Sequence, residues 1–372
     1  MNLSLNPGKK TELYLKKILS ALIRILFKKQ TREPKPPYNK ILFLRYDVLG
    51  DMIVSLPVLR ACRKQLSSAE IDIICSRKNE DIIKFSGYVN NTYITTKSFL
   101  KNLGLVFALR KKKYDVIINL VTRPSLTYGI LAYLIGKNSV RVAGDQDKYE
   151  FFYTHNVLLP HKREIHMAHR LMLLCSFITE EKEAAYRQPW VEFDAEVKKN
   201  ALGLYREICR SISPEKEKLK IAAVNLSSGL ERRNWPLEKY SEFLSEVSSK
   251  YDNEIDGWVV ITNPATPGYS KTVVDKTNKK NVIVLPVVND FKILFEFLRH
   301  LYLLITPDTS ILHAASATGT AVLAMIIGEN QNTWSPIGNI NEIVFSKDLL
   351  SLEKLSIGEV TAGLDLLIKK LR

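Results

Sequence analysis

Three short stretches hold residue types that could do chemistry. In the first, Leu44-Arg45-Tyr46-Asp47-Val48-Leu49-Gly50-Asp51-Met52-Ile53-Val54-Ser55-Leu56-Pro57, two carboxylates stand four residues apart. Asp51 follows Gly50, which permits a tight turn and close approach, and it opens a helical segment; a carboxylate there accepts a proton or caps the helix. In the second, Ser227-Ser228-Gly229-Leu230-Glu231-Arg232-Arg233-Asn234-Trp235-Pro236, two guanidinium groups precede a helix start. A guanidinium grips phosphate oxygens in a bidentate fashion, the plain alternative being two solvated surface arginines. Pro236 fits a first helical turn, which makes Trp235 a packing residue at the helix entrance. In the third, Thr306-Pro307-Asp308-Thr309-Ser310-Ile311-Leu312-His313-Ala314-Ala315, Asp308 to Ser310 precede an Ala-rich helix whose free amides form an anion site. Thr309 and Ser310 add hydroxyl donors, and His313 is either packed in the helix or turned to a ligand.

Repeating strand and helix segments must position these loops. Strands are expected at Ile41 to Leu44, Ile71 to Cys75, Thr92 to Thr95, Val116 to Val121 and Val140 to Ala143, with helices such as Asp51 to Gln65, Phe99 to Lys112 and Ser125 to Ile135 between them. After a helix near Met167 to Thr179, the charged segment Glu180 to Lys218 shows little periodicity. The alternation restarts with strands at Leu219 to Leu226, Trp258 to Thr262, Val282 to Leu285, Tyr302 to Thr306 and Ala321 to Ile327, and helices Leu237 to Ser249, Asp290 to His300 and Ser310 to Thr318. The reading is an α/β protein with two doubly wound, Rossmann-like domains, residues 38–185 and 186–345, whose strand carboxyl ends face a central cleft. Residues 346–372 form a terminal helical segment expected to pack back across the hinge.

The three loops, in order and at strand ends, resemble glycosyltransferase family 9, the ADP-heptose:lipopolysaccharide heptosyltransferases, over about residues 40 to 345. The first matches the family's Gly-Asp turn and Leu-Pro helix, the second its basic residue before Trp-Pro, and the third its Asp-Thr-Gly-x-x-His signature, with Ser310 in place of the glycine. The resemblance implies a GT-B architecture with an acceptor domain followed by a nucleotide-sugar domain. It implies inverting transfer of a heptose or related sugar from a nucleoside diphosphate donor, ADP-heptose above all, to a lipid-linked saccharide such as the lipopolysaccharide core. Asp51 would be the catalytic base, with Asp47 its rival, standing where the family usually has a small polar residue. Arg233, assisted by Arg232, would contact the diphosphate, with Gly50, Ser228, Asp308, Thr309, Ser310 and His313 completing the donor site. Cationic side chains and a helix terminus can neutralise the diphosphate, so neither a metal nor a further cofactor is expected. The segment Asn263 to Tyr269 lacks the acidic residue the family uses for ribose hydroxyls. No chemistry is assigned to Gly328 to Gly338.

Bulk properties agree. The 372 residues suit two domains, and 54 Lys and Arg against 39 Asp and Glu give a net charge of +15, which favours a polyanionic partner. No basic groove motif interleaved with aromatics points to nucleic acid. Cys62, Cys75, Cys175 and Cys209 lack CxxC spacing, so a reducing compartment is expected. His161, His166 and His169 lack a completing ligand and read as a solvated loop and helix face. In residues 10 to 29, Leu15, Ile18, Leu22, Ile25 and Leu26 share one helical face and Lys16, Lys17, Ser20, Arg24 and Lys28 the other. That segment is too interrupted to span a bilayer and is read as lying on an anionic membrane surface, or else on the protein itself. With the stiff linker Glu33-Pro34-Lys35-Pro36-Pro37 it makes up residues 1–37, and the expected location is cytoplasmic, peripheral on the inner membrane. A nucleotide-sugar epimerase of the same architecture and a non-catalytic polyanion binder are the competing readings.

Overall fold

The computed structural model describes residues 27, 30–96, 100–180, 191–216, 218–328 and 332–372. Two six-stranded sheets form its centre. The first contains β1 (Lys40–Arg45), β2 (Glu70–Cys75), β3 (Asn91–Ile94), β4 (Val116–Asn119), β5 (Val140–Gly144) and β6 (His155–Val157), in the order β3-β2-β1-β4-β5-β6. The second contains β7 (Ile221–Asn225), β8 (Gly257–Ile261), β9 (Val282–Val284), β10 (Leu303–Pro307), β11 (Ala321–Ile327) and β12 (Asn341–Ser346), in the order β12-β11-β10-β7-β8-β9. Every neighbouring pair is parallel. Helices cover both faces of such sheets, which is why the central strands are runs of buried apolar residues, as in Ile41 to Leu44 and Ala321 to Ile327.

The two strand orders are the same path traced twice. From β1 the chain steps outward to β2 and β3, then returns to place β4 on the other side of β1; from β7 it does the same through β8 and β9 to β10. The loops leaving the paired central strands therefore diverge, opening a crevice at their carboxyl ends. All three sequence stretches leave these central strands: the first follows β1, the second β7 and the third β10.

Among the helices, α1 (Leu49–Gln65), α2 (Glu80–Lys84), α3 (Leu103–Lys112), α4 (Leu126–Ile135) and α5 (Met167–Leu174) accompany the first sheet. With the second go α6 (Ala195–Ile212), α7 (Leu237–Lys250), α8 (Gly268–Thr277), α9 (Phe291–Leu298), α10 (Ser310–Thr318) and α11 (Ile357–Leu371). Two expectations are corrected. Helix α6 lies within the segment read as aperiodic: Asp194 caps it by accepting from Val197 N at 2.9 Å, and Val197, Ala201, Tyr205, Ile208 and Cys209 form its buried stripe. Lys and Glu between those positions obscured a spacing that was present. Helix α11 does not cross the hinge. Its apolar face, Val360, Leu364, Leu367 and Ile368, joins the core around Trp258 and Leu323, so it packs on β11, β12 and α7 of its own sheet.

Most of the amino-terminal segment, including Leu15, Ile18 and Leu22, lies outside the described residues. Phe27 is described and packs edge-on against Tyr133 and Phe152, at 4.8 and 5.2 Å between ring centroids, so this side chain sits on the protein itself. No described helix is long and apolar enough to cross a membrane. All four cysteines are free and buried.

Candidate active site

A cleft of about 890 Å³ runs between the two sheets at their carboxyl ends. From the first sheet it is lined by Val48 to Asp51, Lys78 and Arg123, and from the second by Ser227 to Leu230, Arg233, Asp308 to Ile311 and His313.

Asp51 belongs to the first turn of α1, whose N-cap is Val48 with no side-chain cap. The capping alternative is thereby excluded, since Asp51 stands inside the helix it would have capped. Its position is fixed by Arg45, a buried guanidinium at the end of β1. Nε and Nη2 of Arg45 donate to the Asp51 carbonyl at 3.0 and 2.9 Å, and Nη1 donates to Leu120 O at 2.7 Å beyond β4. The same guanidinium reaches Asp47 Oδ2 at 3.3 Å and Asp51 Oδ1 at 3.7 Å. Exposure separates the two carboxylates: the Asp51 side chain is 19% exposed and lines the cleft, whereas Asp47 is 7% exposed and does not. Burial, opposed by Arg45 and reinforced by Asp51, pushes the Asp47 carboxyl up to about 7. Gly50 is helical rather than in a turn; its role is close approach, because α10 abuts it.

Across the cleft Arg233 ends a short 3-10 turn, Glu231 to Arg233. Its Nη1 lies 3.1 Å from Asp308 Oδ2 and 3.3 Å from Asp308 O, while its Nε is buried with no hydrogen-bond partner. Arg232 is exposed and off the cleft wall. In a three-residue turn successive side chains diverge by about 120°, so only one of two adjacent arginines can face the cleft. Ser228 lines the cleft, but its hydroxyl donates to Leu230 O at 2.6 Å and so shapes its own loop.

Asp308 is held between Arg233 and His313, whose Nε2 is 3.9 Å from Asp308 Oδ1. Burial lowers the His313 pKa, opposed by Asp308 and Asp51, and the ring is packed beside Trp334 at 5.8 Å. Thr309 is the N-cap of α10, its Oγ1 accepting from Ile311 N at 3.0 Å. Its hydroxyl keeps a proton to donate, and the remaining first-turn amides of α10 are open to an anion.

Several features of the wall went unread in the sequence. Lys78 and Arg123 add cations on the first-sheet side. Ile261, Leu285 to Val288, Phe291 and Leu294 form an apolar slot beyond β8 and β9. A further signal was the Trp in Gly328 to Gly338: Trp334 lines the cleft, and its loop docks on the first domain through Thr333 O, which accepts from Met167 N at 3.0 Å, and Ser335 O, 3.0 Å from His166 Nε2. His166, expected on a solvated surface, is therefore buried; its Nδ1 also caps α5 by accepting from Ala168 N at 3.1 Å. His161 and His169 remain exposed. Among the described residues no three His, Cys, Asp or Glu converge as a metal-binding group.

The sequence profile described as glycosyltransferase family 9 (heptosyltransferase) matches residues 103–361, which include the second and third loops. No curated protein matches the chain by sequence. Among solved structures, a family 9 glycosyl transferase from Veillonella parvula is 17% identical with a TM-score of 0.73, covering 90% of this chain and 98% of that one. The E. coli ADP-heptose lps heptosyltransferase II is 15% identical with a TM-score of 0.66, covering 89% and 99%. E. coli heptosyltransferase WaaC, solved with ADP, is 14% identical with a TM-score of 0.64, covering 89% and 98%. These likenesses give the two facing sheets the GT-B architecture. Since the profile spans most of the chain and two of its loops meet the Asp51 wall across one cleft, the protein belongs to glycosyltransferase family 9, the heptosyltransferase family.

Proposed function

We propose that the protein is an inverting glycosyltransferase that moves a heptose or related sugar from a nucleoside diphosphate donor, ADP-heptose first among the candidates, to a lipid-linked saccharide of the lipopolysaccharide core type. The observation that carries this reading is the opposition of Asp51 to the Arg233, Asp308 and α10 corner across a cleft of about 890 Å³. The donor's base would enter the largely apolar slot at Leu285 to Phe291, with Thr262, Asn263 and Asn289 the polar side chains on that wall. Its diphosphate would meet Arg233 and the first amides of α10, leaving the anomeric carbon toward Asp51. The acceptor hydroxyl then gives its proton to Asp51 while its oxygen bonds to the anomeric carbon. The bond to the diphosphate breaks on the opposite side, so configuration inverts, and the departing electron pair settles on an oxygen held by Arg233 and backbone N–H groups. This reading meets the diphosphate's charge without a metal. Lys78 and Arg123 suit an acceptor that carries phosphates, and the basic amino-terminal segment suits an anionic inner leaflet.

The test is transfer from ADP-heptose to purified heptose-free core acceptor, with the new linkage assigned by NMR. Inverted configuration, and turnover lowered by roughly two to four orders of magnitude in Asp51→Asn with donor binding kept, is the expected result. A donor altered in the absence of acceptor would instead indicate an epimerase, and near-normal turnover of Asp51→Asn would remove the base assignment.

A further inference from the structure

Asp47 has no task in that scheme, yet its surroundings are uncommon for a carboxylate. Its Oδ2 faces Arg45 Nη1 at 3.3 Å, while its Oδ1 is buried with no hydrogen-bond partner. An ionised oxygen left bare in that way is costly, and a protonated one is not. The backbone beneath it is pinned, its carbonyl accepting from Ser76 Oγ at 3.2 Å and from Asn79 Nδ2 at 3.3 Å. Asp51 is the carboxyl within hydrogen-bonding reach, and one Arg45 guanidinium serves both. Two bare carboxylates cannot hydrogen-bond to each other; a single proton between them makes the bond possible and relieves their repulsion.

The other groups around the pair leave that proton in place. Tyr46 and, from α4, Tyr128 are phenols whose pKa values burial raises, so they carry no charge at neutral pH. From the second domain His313 faces Asp51, kept from protonation by burial, with Arg233 and Asp308 paired behind it. Among the described residues, Arg45 is the one cation with an ion pair to Asp47.

We propose that Asp47 and Asp51 form a proton-sharing carboxylate pair in which Asp47, held off the cleft, is a positioning residue that orients Asp51 and sets its basicity. The proposal rests on the reading of Asp51 as the base. Below about pH 7 the shared proton resides on Asp47, the more buried member, and its O–H donates to one Asp51 oxygen, leaving the other turned to the acceptor. As Asp47 ionises, Asp51 gains a negative neighbour and becomes a stronger base. During transfer the acceptor's proton moves to Asp51 and is then returned to solvent.

The experiment is the pH profile of kcat/KM for the full-length protein and for Asp47→Asn and Asp47→Ser, together with carbon NMR titration of the carboxyl groups in protein labelled at aspartate Cγ. The unaltered protein should show a carboxyl titrating near 7 and an acid limb at the same pH. In both variants that resonance should vanish, the acid limb should fall toward the ordinary carboxylate range of about 4, and the plateau rate should drop roughly three- to tenfold. A wild-type spectrum with no carboxyl titrating above about 5.5 would overturn the pair, whether or not the variants fold. So would variant profiles superimposed on that of the unaltered protein. If Asp51→Asn were fully active while the unaltered protein showed the resonance near 7 and Asp51→Asn lost it, the base reading would fall and the pair would stand as a structural one.

Discussion

Gly50 and His313 touch across the domain boundary: a Cβ built on Gly50 would lie 3.0 Å from His313 Cδ2 and 3.5 Å from Ser310 Cα. The first turn of α1, which carries the base candidate, is thus seated directly on the first turn of α10, which carries the anion site. A methyl at position 50 must push the two turns apart by a few tenths of an ångström or turn the His313 ring away from Trp334. Gly50→Ala should therefore lower kcat by roughly tenfold or more, since misplacement of reacting groups is penalised steeply, while donor affinity changes less than threefold. Steady-state kinetics with isothermal titration of ADP reads both. A variant with unchanged kcat would show that this contact does not set the catalytic spacing.

The two adjacent arginines offer a cleaner contrast. Arg233 faces the cleft and is paired with Asp308; Arg232 is exposed and off the wall. Arg233→Ala should weaken ADP binding and slow transfer together, because the cation serves both the bound diphosphate and the charge that grows on it, and Asp308 would be left without its guanidinium. Arg232→Ala should alter each by less than about threefold, within what a screened surface cation contributes. The reverse ranking, measured in parallel, would contradict the placement of the turn.

How far the sequence carries this far is visible at those same residues. The order of strands and the three loops were legible because buried parallel strands are unbroken apolar runs, and because Gly-Asp, Arg before Trp-Pro and Asp-Thr-Ser before an Ala-rich helix each announce a strand end. The ranking of Arg233 above Arg232 came from the resemblance, because the residues alone leave open a choice that depends on the phase of a short turn. Arg45 was hidden for another reason: an arginine closing a buried strand looks like an edge residue until the Asp51 and Leu120 carbonyls converge on it. The first-sheet edge strand β6 and the outer strand β12 went unread because partly exposed strands mix polar and apolar residues. The docking of the Trp334 loop on α5 joins positions about 170 residues apart, which no local pattern encodes.

At the amino terminus the packing of Phe27 sets where a truncation must fall. Removing residues 1–26 takes away Leu15, Ile18 and Leu22 together with Lys16, Lys17 and Arg24 of the basic face, yet leaves Phe27 against Tyr133 and Phe152. Transfer to a soluble, delipidated acceptor should survive this deletion. Co-sedimentation with anionic vesicles should fall, and the part of the full-length binding that resists salt, where charges are screened over about 10 Å at 0.1 M, should be lost with the apolar face. Equal sedimentation of the two forms would place the membrane contact elsewhere or remove it.

His166 should make the protein's stability depend on pH, with a sign that can be worked out. Burial first, then the neighbouring His313, depresses its pKa to about 3, against an ordinary value of 6.5, although its bond to Ser335 O works the other way. Between those two values the unfolded chain holds a proton on this ring that the folded chain does not. Stability is therefore complete above about 6.5 and declines as pH falls toward 3, by at most about 1.4 kcal/mol per pH unit from this one group. The Asp47 carboxyl has the opposite sign over its own window, from its ordinary value of 3.8 up to about 7, because there the folded chain holds the extra proton. The two contributions offset each other in the unaltered protein between about 4 and 6.5, and single variants separate them. In His166→Gln, whose side chain can still donate to Ser335 O, the pH 6.5 to 4 slope of the urea midpoint should tilt toward greater stability at acid pH. Asp47→Asn should tilt it the other way, toward greater stability near pH 8. Since His166 also caps α5, the glutamine variant should start about 1 kcal/mol lower at pH 8, the usual worth of a lost cap. A urea midpoint series from pH 4 to 8 on the three proteins reads all of this, and parallel curves for His166→Gln and the unaltered protein would mean that the ring is not held neutral at the junction of the two domains.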